Sequence, residues 1–479
     1  MSDDLRADYE RVIAEQAALI EVLHQQVAVL QAELAALRKN SSNSSKPPSR
    51  DSNEDRQERK QSRAERRAEA RTAGKQPGAP GRHLQRRAEP DETITHRPSC
   101  CGGCGSGLDT GDVVATSTRQ VFDVPDIDVH VVEHVACRVR CSCGHDTTAE
   151  FPPEATAPTC WGPNVKALAV YLTVRQHLPV ARAAEVMSEM LAAPVSTGFI
   201  VACQADAARR LAGFIAHVKV LLHNAGVVHA DETSTRVSSA TWWVHVVSTS
   251  MVTLLAAHNR RGREAIVDIG VLPDYAGVLV RDGLASYDDL DNSTHAQCGA
   301  HLLRHLTAVG ETRAYAQWTT AMTKVLLDAK RAAETAAANG RARVPARTAA
   351  VLRRRYRTVL DNAFALLPPG PPPRRRHTGG WRIVQREAYN LAARFRDHEP
   401  DILRMLVDTR VPFTNNQAER DLRMTKIHDK ISGTFRNPDA AADFATTRSY
   451  VQTANKHGRS PLDALRQLFT TGARLPATT

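Results

Sequence analysis

Between residues 224 and 282 the apolar positions fall into short runs of branched and aromatic side chains. Val227-Val228-His229-Ala230-Asp231 follows the turn formers Asn224 and Gly226, and reads as a buried strand with a carboxylate at its C-terminal end. Thr241 to Val247 and Met251 to Ala257 flank Ser248-Thr249-Ser250, which predicts an antiparallel hairpin. Arg263 to Ile269 has helical composition, and Gly277 to Val280 is a second apolar run leading to Asp282. Two strands of one sheet that each finish in Asp bring the side chains together where α/β sheets keep their chemistry. Asp231 and Asp282 are therefore the first candidate pair.

A third acid lies downstream in Thr414-Asn415-Asn416-Gln417-Ala418-Glu419-Arg420-Asp421-Leu422-Arg423. Thr414 or Asn415 can cap a helix carrying Glu419 in its first turns, with Arg420 and Arg423 on the surface close by. Strand, hairpin, helix, strand and a late helix bearing an acid is the order of a ribonuclease-H-like α/β core. Three converging carboxylates suit two hard divalent cations, Mg²⁺ or Mn²⁺, the arrangement that serves in-line displacement at a phosphodiester. Other acids compete poorly. Glu232 is expected on the opposite face from Asp231, Asp288 and Asp289 lie past the strand end, and Asp421 is expected to face away from Glu419. His229 shares the face of Asp231 and can support it by hydrogen bonding. In Cys298-Gly299-Ala300-His301, His301 is either a residue of the reactive centre or an ordinary packed histidine.

The N-terminal pattern is different. Ile13, Ile20, Val27 and Leu34 form one heptad series and Gln16, Leu23, Leu30 and Leu37 the other, so residues 5–38 are expected to form a parallel coiled coil and make a homo-oligomer. A helix packed on the chain's own body is the alternative. From Arg38 to Arg87 there are fifteen Lys or Arg against six Asp or Glu and no Phe, Trp or Tyr, so residues 39–90 are expected to be a disordered basic linker. Lys46, Arg50, Lys75 and Arg82 are its DNA-contact candidates, working through phosphate charge and losing affinity with salt. A plain spacer is the competing reading.

Cys101-Gly102-Gly103-Cys104 and Cys141-Ser142-Cys143 are separated by a stretch expected to be strand, and the four thiolates suit tetrahedral Zn²⁺, so residues 91–157 form an expected zinc-binding β module. Cys100 and Cys137 are substitute ligands, while Cys160 and Cys203 are expected in apolar helical surroundings. Residues 158–223 show helical spacing. Val165 to Arg175, Pro179 to Leu191 and a helix capped by Ser196 fit a helix-turn-helix-like DNA-binding domain or a plain helical subdomain. The core would occupy residues 224–310 and be completed, with C-terminal helices, by 401–479. Between these pieces, residues 311–400 read as a helical insertion broken at Pro368-Pro369-Gly370-Pro371, with basic triplets Arg353 to Arg355 and Arg374 to Arg376 able to hold phosphate.

The 479 residues, 42% hydrophobic, allow several folded units, so the expectation is a multidomain α/β protein. A net charge of +11 favours a polyanionic partner. No apolar run reaches the length of a membrane span, and the acidic, polar start is unlike a signal peptide, so a cytoplasmic, nucleoid-associated protein without a membrane partner is expected.

The motifs "HADET", "VRDGLASYD", "CGAHLLRHL" and "NNQAERDLRMTKIHDKISGTFRN" resemble those of the transposases of insertion sequence family 66, and "NSSNSSKPPSRD", "GKQPGAPGR", the cysteine cluster and "RSYVQTANKHGRSPLDAL" carry the resemblance over nearly the whole chain. It implies an Asp-Asp-Glu transposase that binds the inverted-repeat ends of its element and uses Mg²⁺ to expose a 3′-hydroxyl, which then attacks target DNA. Asp231, Asp282 and Glu419 would be the metal ligands, Arg420 and Arg423 would contact phosphate, and accessory proteins of the same element are possible partners. A non-transposing nuclease with the same metals and a DNA-binding regulator without catalysis are the alternatives.

Overall fold

The computed structural model describes residues 84–110, 112–367 and 383–477, with a few isolated positions before residue 62. The expected coiled coil, nearly all of the basic linker with Lys46, Arg50, Lys75 and Arg82, and the triplet Arg374 to Arg376 lie outside the described residues. Asn53–Asp128 forms one compact unit, and Val129–Thr479 belongs to another.

In the first unit, Cys101 heads a tight turn in which its carbonyl accepts from the Gly105 amide (2.9 Å) and its amide donates to Ser106 O (2.8 Å). Gly105 has φ +75°, where a side chain would be strained. The second unit begins with a small hairpin, β1 (Arg138–Arg140) and β2 (Asp146–Thr148), which closes around Cys141 to Gly144. The expectation of strand throughout the interval between the cysteine pairs is corrected: among its described residues only Arg138–Arg140 is strand. Val114 and Val121 there are 97% and 91% exposed. β propensity records packing against neighbours, and these side chains have none.

Four helices follow. α1 (Pro163–Val170) starts on a proline and runs on as a π turn through Tyr171–Arg175, α2 spans Val180–Leu191, α3 spans Thr197–Arg210 and α4 spans Ala212–His223. Ser196 caps α3, its hydroxyl accepting from the Phe199 amide at 3.1 Å. Cys203 is buried on α3 as expected, whereas Cys160 is exposed and outside any helix, a correction.

Five strands form the central sheet: β3 (Val227–Val237), β4 (Ala240–Ser248), β5 (Thr253–His258), β6 (Val278–Arg281) and β7 (Thr294–Gln297). Their order is β5-β4-β3-β6-β7, with β3, β4 and β5 antiparallel and β6 and β7 parallel to β3. Helix α5 (Arg263–Ile269) links β5 to β6 and ends on Gly270 at φ +69°. After β7 come α6 (Gly299–Gly310), α7 (Ala316–Ala338), α8 (Ala346–Ala365) and α9 (Ile383–Asp397), then α10 (Asn416–Ile431), α11 (Pro438–Lys456) and α12 (Pro461–Thr470).

Alternation along the strands divides the apolar side chains between two faces. Val228, Ala230, Val247, Leu254 and Leu279 share one continuous core with Val170, Ile200, Phe214 and Leu222 of the N-terminal helices, while Val244, Val246 and Leu255 pack on Ala418 and Leu422 of α10. The helical insertion has a core of its own, in which Leu302 and Leu306 of α6 meet Met322, Leu326, Tyr356 and Phe395. Within the insertion Arg353 pairs with Glu399 (3.3 Å) and Arg355 with Asp328 (2.9 Å), so two members of that basic triplet already have carboxylate partners.

Candidate metal centre

β3 is longer than its apolar run suggests. It continues to Val237, so Asp231 lies mid-strand, opposite Val246 of β4, and the expectation of a strand-end carboxylate is corrected. Pairing with β6, however, stops at His229 and Val280. Residues 231 and 232 thus have no strand partner on that side, and Asp282 follows β6 into that gap.

Asp231, Glu232 and Asp282 offer ligand atoms all within 4.8 Å of one another. Glu232 was expected to point away, and that is corrected. Its neighbours in sequence do alternate between faces, yet on the side where β6 no longer pairs with β3 its carboxylate reaches the same group. There it is held by Arg261 Nη2 (2.8 Å) and by the Tyr287 hydroxyl, which donates at 3.0 Å. Burial, reinforced by the charges of Glu232 and Asp282, drives the Asp231 carboxyl well above the usual carboxylate range. Glu232 is raised by the same causes, with Arg261 opposing. Asp282 Oδ1 accepts from the Leu284 amide at 2.9 Å, which fixes the turn beyond β6.

Glu419 comes from the first turns of α10. Asn415 occupies the N-cap position, yet its side chain does not cap the helix. Fully buried, it spans to β3 instead: Nδ2 donates to Ala230 O (2.7 Å) and Oδ1 lies 2.9 Å from His229 Nδ1. With the amide nitrogen committed to a carbonyl, His229 must be the donor in the second contact, so its Nδ1 carries a proton. Burial lowers the His229 pKa, which favours the neutral ring. The expected support of Asp231 by His229 is therefore replaced by a bond to Asn415. The Asn415 amide also donates to Cys298 Sγ at 3.2 Å.

Cys298, His301 and Glu419 form a second group with ligand atoms within 4.8 Å. His301 Nδ1 lies 3.9 Å from Glu419 Oε1, and Arg304 Nη2 lies 3.7 Å from the same oxygen. Neither His301 Nδ1 nor Glu419 Oε1 has a hydrogen-bond partner, although both atoms are buried. Arg304 compensates the charge of that oxygen from a distance, yet no donor satisfies it directly, and a buried carboxylate oxygen in that state has room for a ligand cation. The two groups adjoin, since the charge of Glu419 acts on Asp231 and those of Asp282 and Glu419 both act on His301. His301 is thus beside the carboxylates, and burial lowers its pKa.

Arg420 and Arg423 are exposed on α10, Arg420 bonding to Gln417 Oε1 at 3.0 Å. Arg423 lies one turn from Glu419 on nearly the same side of the helix. Asp421 is directed elsewhere, into a buried pair with Lys456 (2.8 Å). Asp288 pairs with the buried Arg281. Sequence reasoning did not anticipate Arg261, Tyr287, Arg304 or the bridging role of Asn415. The doubled Asn in "NNQAER" was the one visible signal, since an amide before a helix offers a donor as well as an acceptor.

Of the cysteines expected to hold zinc, Cys104 has its thiol lowered to about 7, first by the Ser106 hydroxyl. Cys141 is lowered by the Cys143 amide and thiol. Gly144, at φ +88°, donates its amide to Cys141 O at 2.9 Å.

Carboxylates gathered on the central strand of a mixed sheet, just past the end of its pairing with β6, mark the chain as an α/β protein with a candidate metal centre. The family model described as Transposase IS66 family matches residues 158–443, and the chain belongs to that family. Membership makes it a DNA transposase, an enzyme of the nuclease and strand-transferase kind. A second model, a family of unknown function (DUF6444), matches residues 3–85. Comparison with curated proteins found no match. No helix among the described residues is long and apolar enough to cross a membrane.

Proposed function

We propose that the chain cleaves the ends of its element and joins them to target DNA at a divalent-metal site held by Asp231, Asp282 and Glu419, in a ribonuclease-H-like core. The observation that carries this reading is the crowding of Asp231 and Asp282 where the pairing of β3 with β6 ends, with a buried Glu419 oxygen that accepts no hydrogen bond. Like charges that close are tolerated when a cation sits among them. The donor set is all oxygen apart from His301 and Cys298, which fits Mg²⁺ or Mn²⁺. When bound, such ions activate the attacking oxygen and stabilise the leaving one.

The chain's own residues supply the rest. Asp231 and Asp282 are fixed by backbone amides and strand register, so their oxygens need little reorganisation. Arg261 and Tyr287 tie down Glu232, which leaves it a supporting rather than a primary ligand. Neutral His301, with an unpartnered Nδ1 facing Glu419, can bond to a phosphate oxygen or to the water that is deprotonated. Arg420 and Arg423 extend a basic surface from the carboxylates along α10 towards the DNA backbone.

Zn²⁺ at the cysteine pairs Cys101 with Cys104 and Cys141 with Cys143, a coiled coil over residues 5–38 that pairs two copies, and the basic arm with Lys46, Arg50, Lys75 and Arg82 complete the reading. Taken pair by pair, the turns at Gly105 and Gly144 and the lowered thiols of Cys104 and Cys141 suit thiolate ligands to a metal. Incubating a labelled duplex carrying the gene's flanking repeat with plasmid DNA and Mg²⁺ or Mn²⁺ tests the function. Wild type should yield a free 3′ end and a joined product, and Asp282→Asn neither; equal products from both would remove Asp282 from the site. Cleavage without joining would favour a nuclease over a transposase.

A further inference from the structure

Arg394 is on α9, in the insertion that separates Asp282 from Glu419 along the chain. Its guanidinium lies on the backbone of Gly283, next to Asp282: a Cβ at Gly283 would stand 2.9 Å from Nη1, 3.1 Å from Cζ and 3.3 Å from Nη2. A side chain there would push the guanidinium aside. Among the described residues this guanidinium makes one hydrogen bond, from Nη1 to His305 Nδ1 at 3.4 Å. Burial lowers the pKa of His305 to about 4, so at neutral pH the ring accepts and does not repel.

The other arginines around the carboxylates are engaged. Arg261 is bound by Glu232, Arg281 by Asp288, and Arg304 lies near Glu419. Among the described residues, no carboxylate lies within ion-pair distance of Arg394, although the charge of Asp282 acts on it. A half-buried guanidinium with most of its donors unused, beside an acid that would hold a metal, is suited to a bidentate anion with planar oxygen geometry. In a polynucleotide cleavage site that anion is a phosphate.

We propose that Arg394, returned to the site by the helical insertion, contacts the scissile phosphate beside Asp282. The assignment rests on the metal-centre reading above, and it gives the insertion a direct part in the chemistry. Guanidinium nitrogens bonded to the non-bridging oxygens would hold the phosphate against the metal side and offset the charge that grows there in the transition state.

The test uses the full chain and the element's own end duplex, nicked at the cleavage position so that the flanking strand begins with either a 5′-phosphate or a 5′-hydroxyl. Binding is measured in Ca²⁺, and cleavage of the intact duplex in Mg²⁺. Wild type should bind the phosphate form tighter by about tenfold or more, and Arg394→Gln should lose that preference while binding the hydroxyl form as wild type does. Arg394→Lys should retain part of it. Cleavage by Arg394→Gln should fall about 100-fold. A wild type without phosphate preference, or an Arg394→Gln variant that keeps it, overturns the proposal; so does Arg394→Gln cleavage within about threefold of wild type. Asp282→Asn, run in parallel, reports on the metal centre separately: full cleavage by that variant sinks the carboxylate reading, whereas the phosphate preference is read without cleavage.

Discussion

Asn415 is the strut between the strand that carries Asp231 and the helix that carries Glu419, and Asn415→Ala removes it. Two buried groups then lose their partners, the Ala230 carbonyl and the His229 Nδ1–H. Each such orphan costs about 1–3 kcal/mol, so the variant should lose about 2–6 kcal/mol. The backbone bond to Cys298 Sγ survives, which leaves residue 415 with one of its three bonds. Asn415→Asp is the sharper probe. One oxygen still accepts from His229, but the other faces the Ala230 carbonyl, and a charge is buried where no cation is in contact. It should be less stable than Asn415→Ala despite its closer shape. Urea unfolding followed by tryptophan fluorescence reads both, helped by Trp242 and Trp243 on β4. Since outer supporting residues typically change metal affinity or activity about 10–100-fold, cleavage should fall in that range. An Asn415→Asp protein as stable as wild type would refute the bridging geometry and the His229 tautomer deduced from it.

Three further outcomes follow from the same contacts. Asp231 has a raised folded pKa, so the folded state holds its proton longer than the unfolded one, and metal-free stability is lost as pH climbs from about 4 towards that raised value. The buried histidines act in the opposite sense below about pH 6.5. The difference between Asp231→Asn and wild type isolates the acid: without metal the variant should melt higher, increasingly so with pH, and added Mn²⁺ should raise the melting temperature of wild type alone. Lys456→Met leaves Asp421 buried without its cation and should cost about 3–5 kcal/mol, recovered largely by adding Asp421→Asn, as urea titration would show. Gly283→Ala should displace the Arg394 guanidinium and reproduce the lost phosphate preference of Arg394→Gln in the nicked-duplex binding assay.

The strands around Asp231 and Asp282 were legible because branched and aromatic runs and turn residues agree at every step there. Helix α3 was legible for a local reason too, as Ser196 caps it. Less local features were hidden. Nothing in the composition of β3 says that its pairing with β6 ends at His229, or that Arg261 and Tyr287 hold the Glu232 carboxylate there. The site's cations were hidden for the same reason. Arg261 and Arg304 lie on chain far from the acids they meet, and Arg394 is in an insertion that reads only as helix. The interval after Cys104 misled in the opposite direction, since its alternating valines suit a strand yet find no neighbour to pair with among the described residues. Asn415 lay between. Its amide suggested a helix cap, but the structure turns both of its polar atoms to β3.

The central claim is that Asp231, Asp282 and Glu419 jointly hold divalent ions, and Mn²⁺ binding to the full chain, followed by electron paramagnetic resonance, tests it most directly. Wild type should bind Mn²⁺, with Mg²⁺ competing, and Asp231→Asn, Asp282→Asn and Glu419→Gln should each weaken binding at least about tenfold, while Asp421→Asn leaves it unchanged. Undiminished Mn²⁺ binding in any of the first three variants would contradict the site.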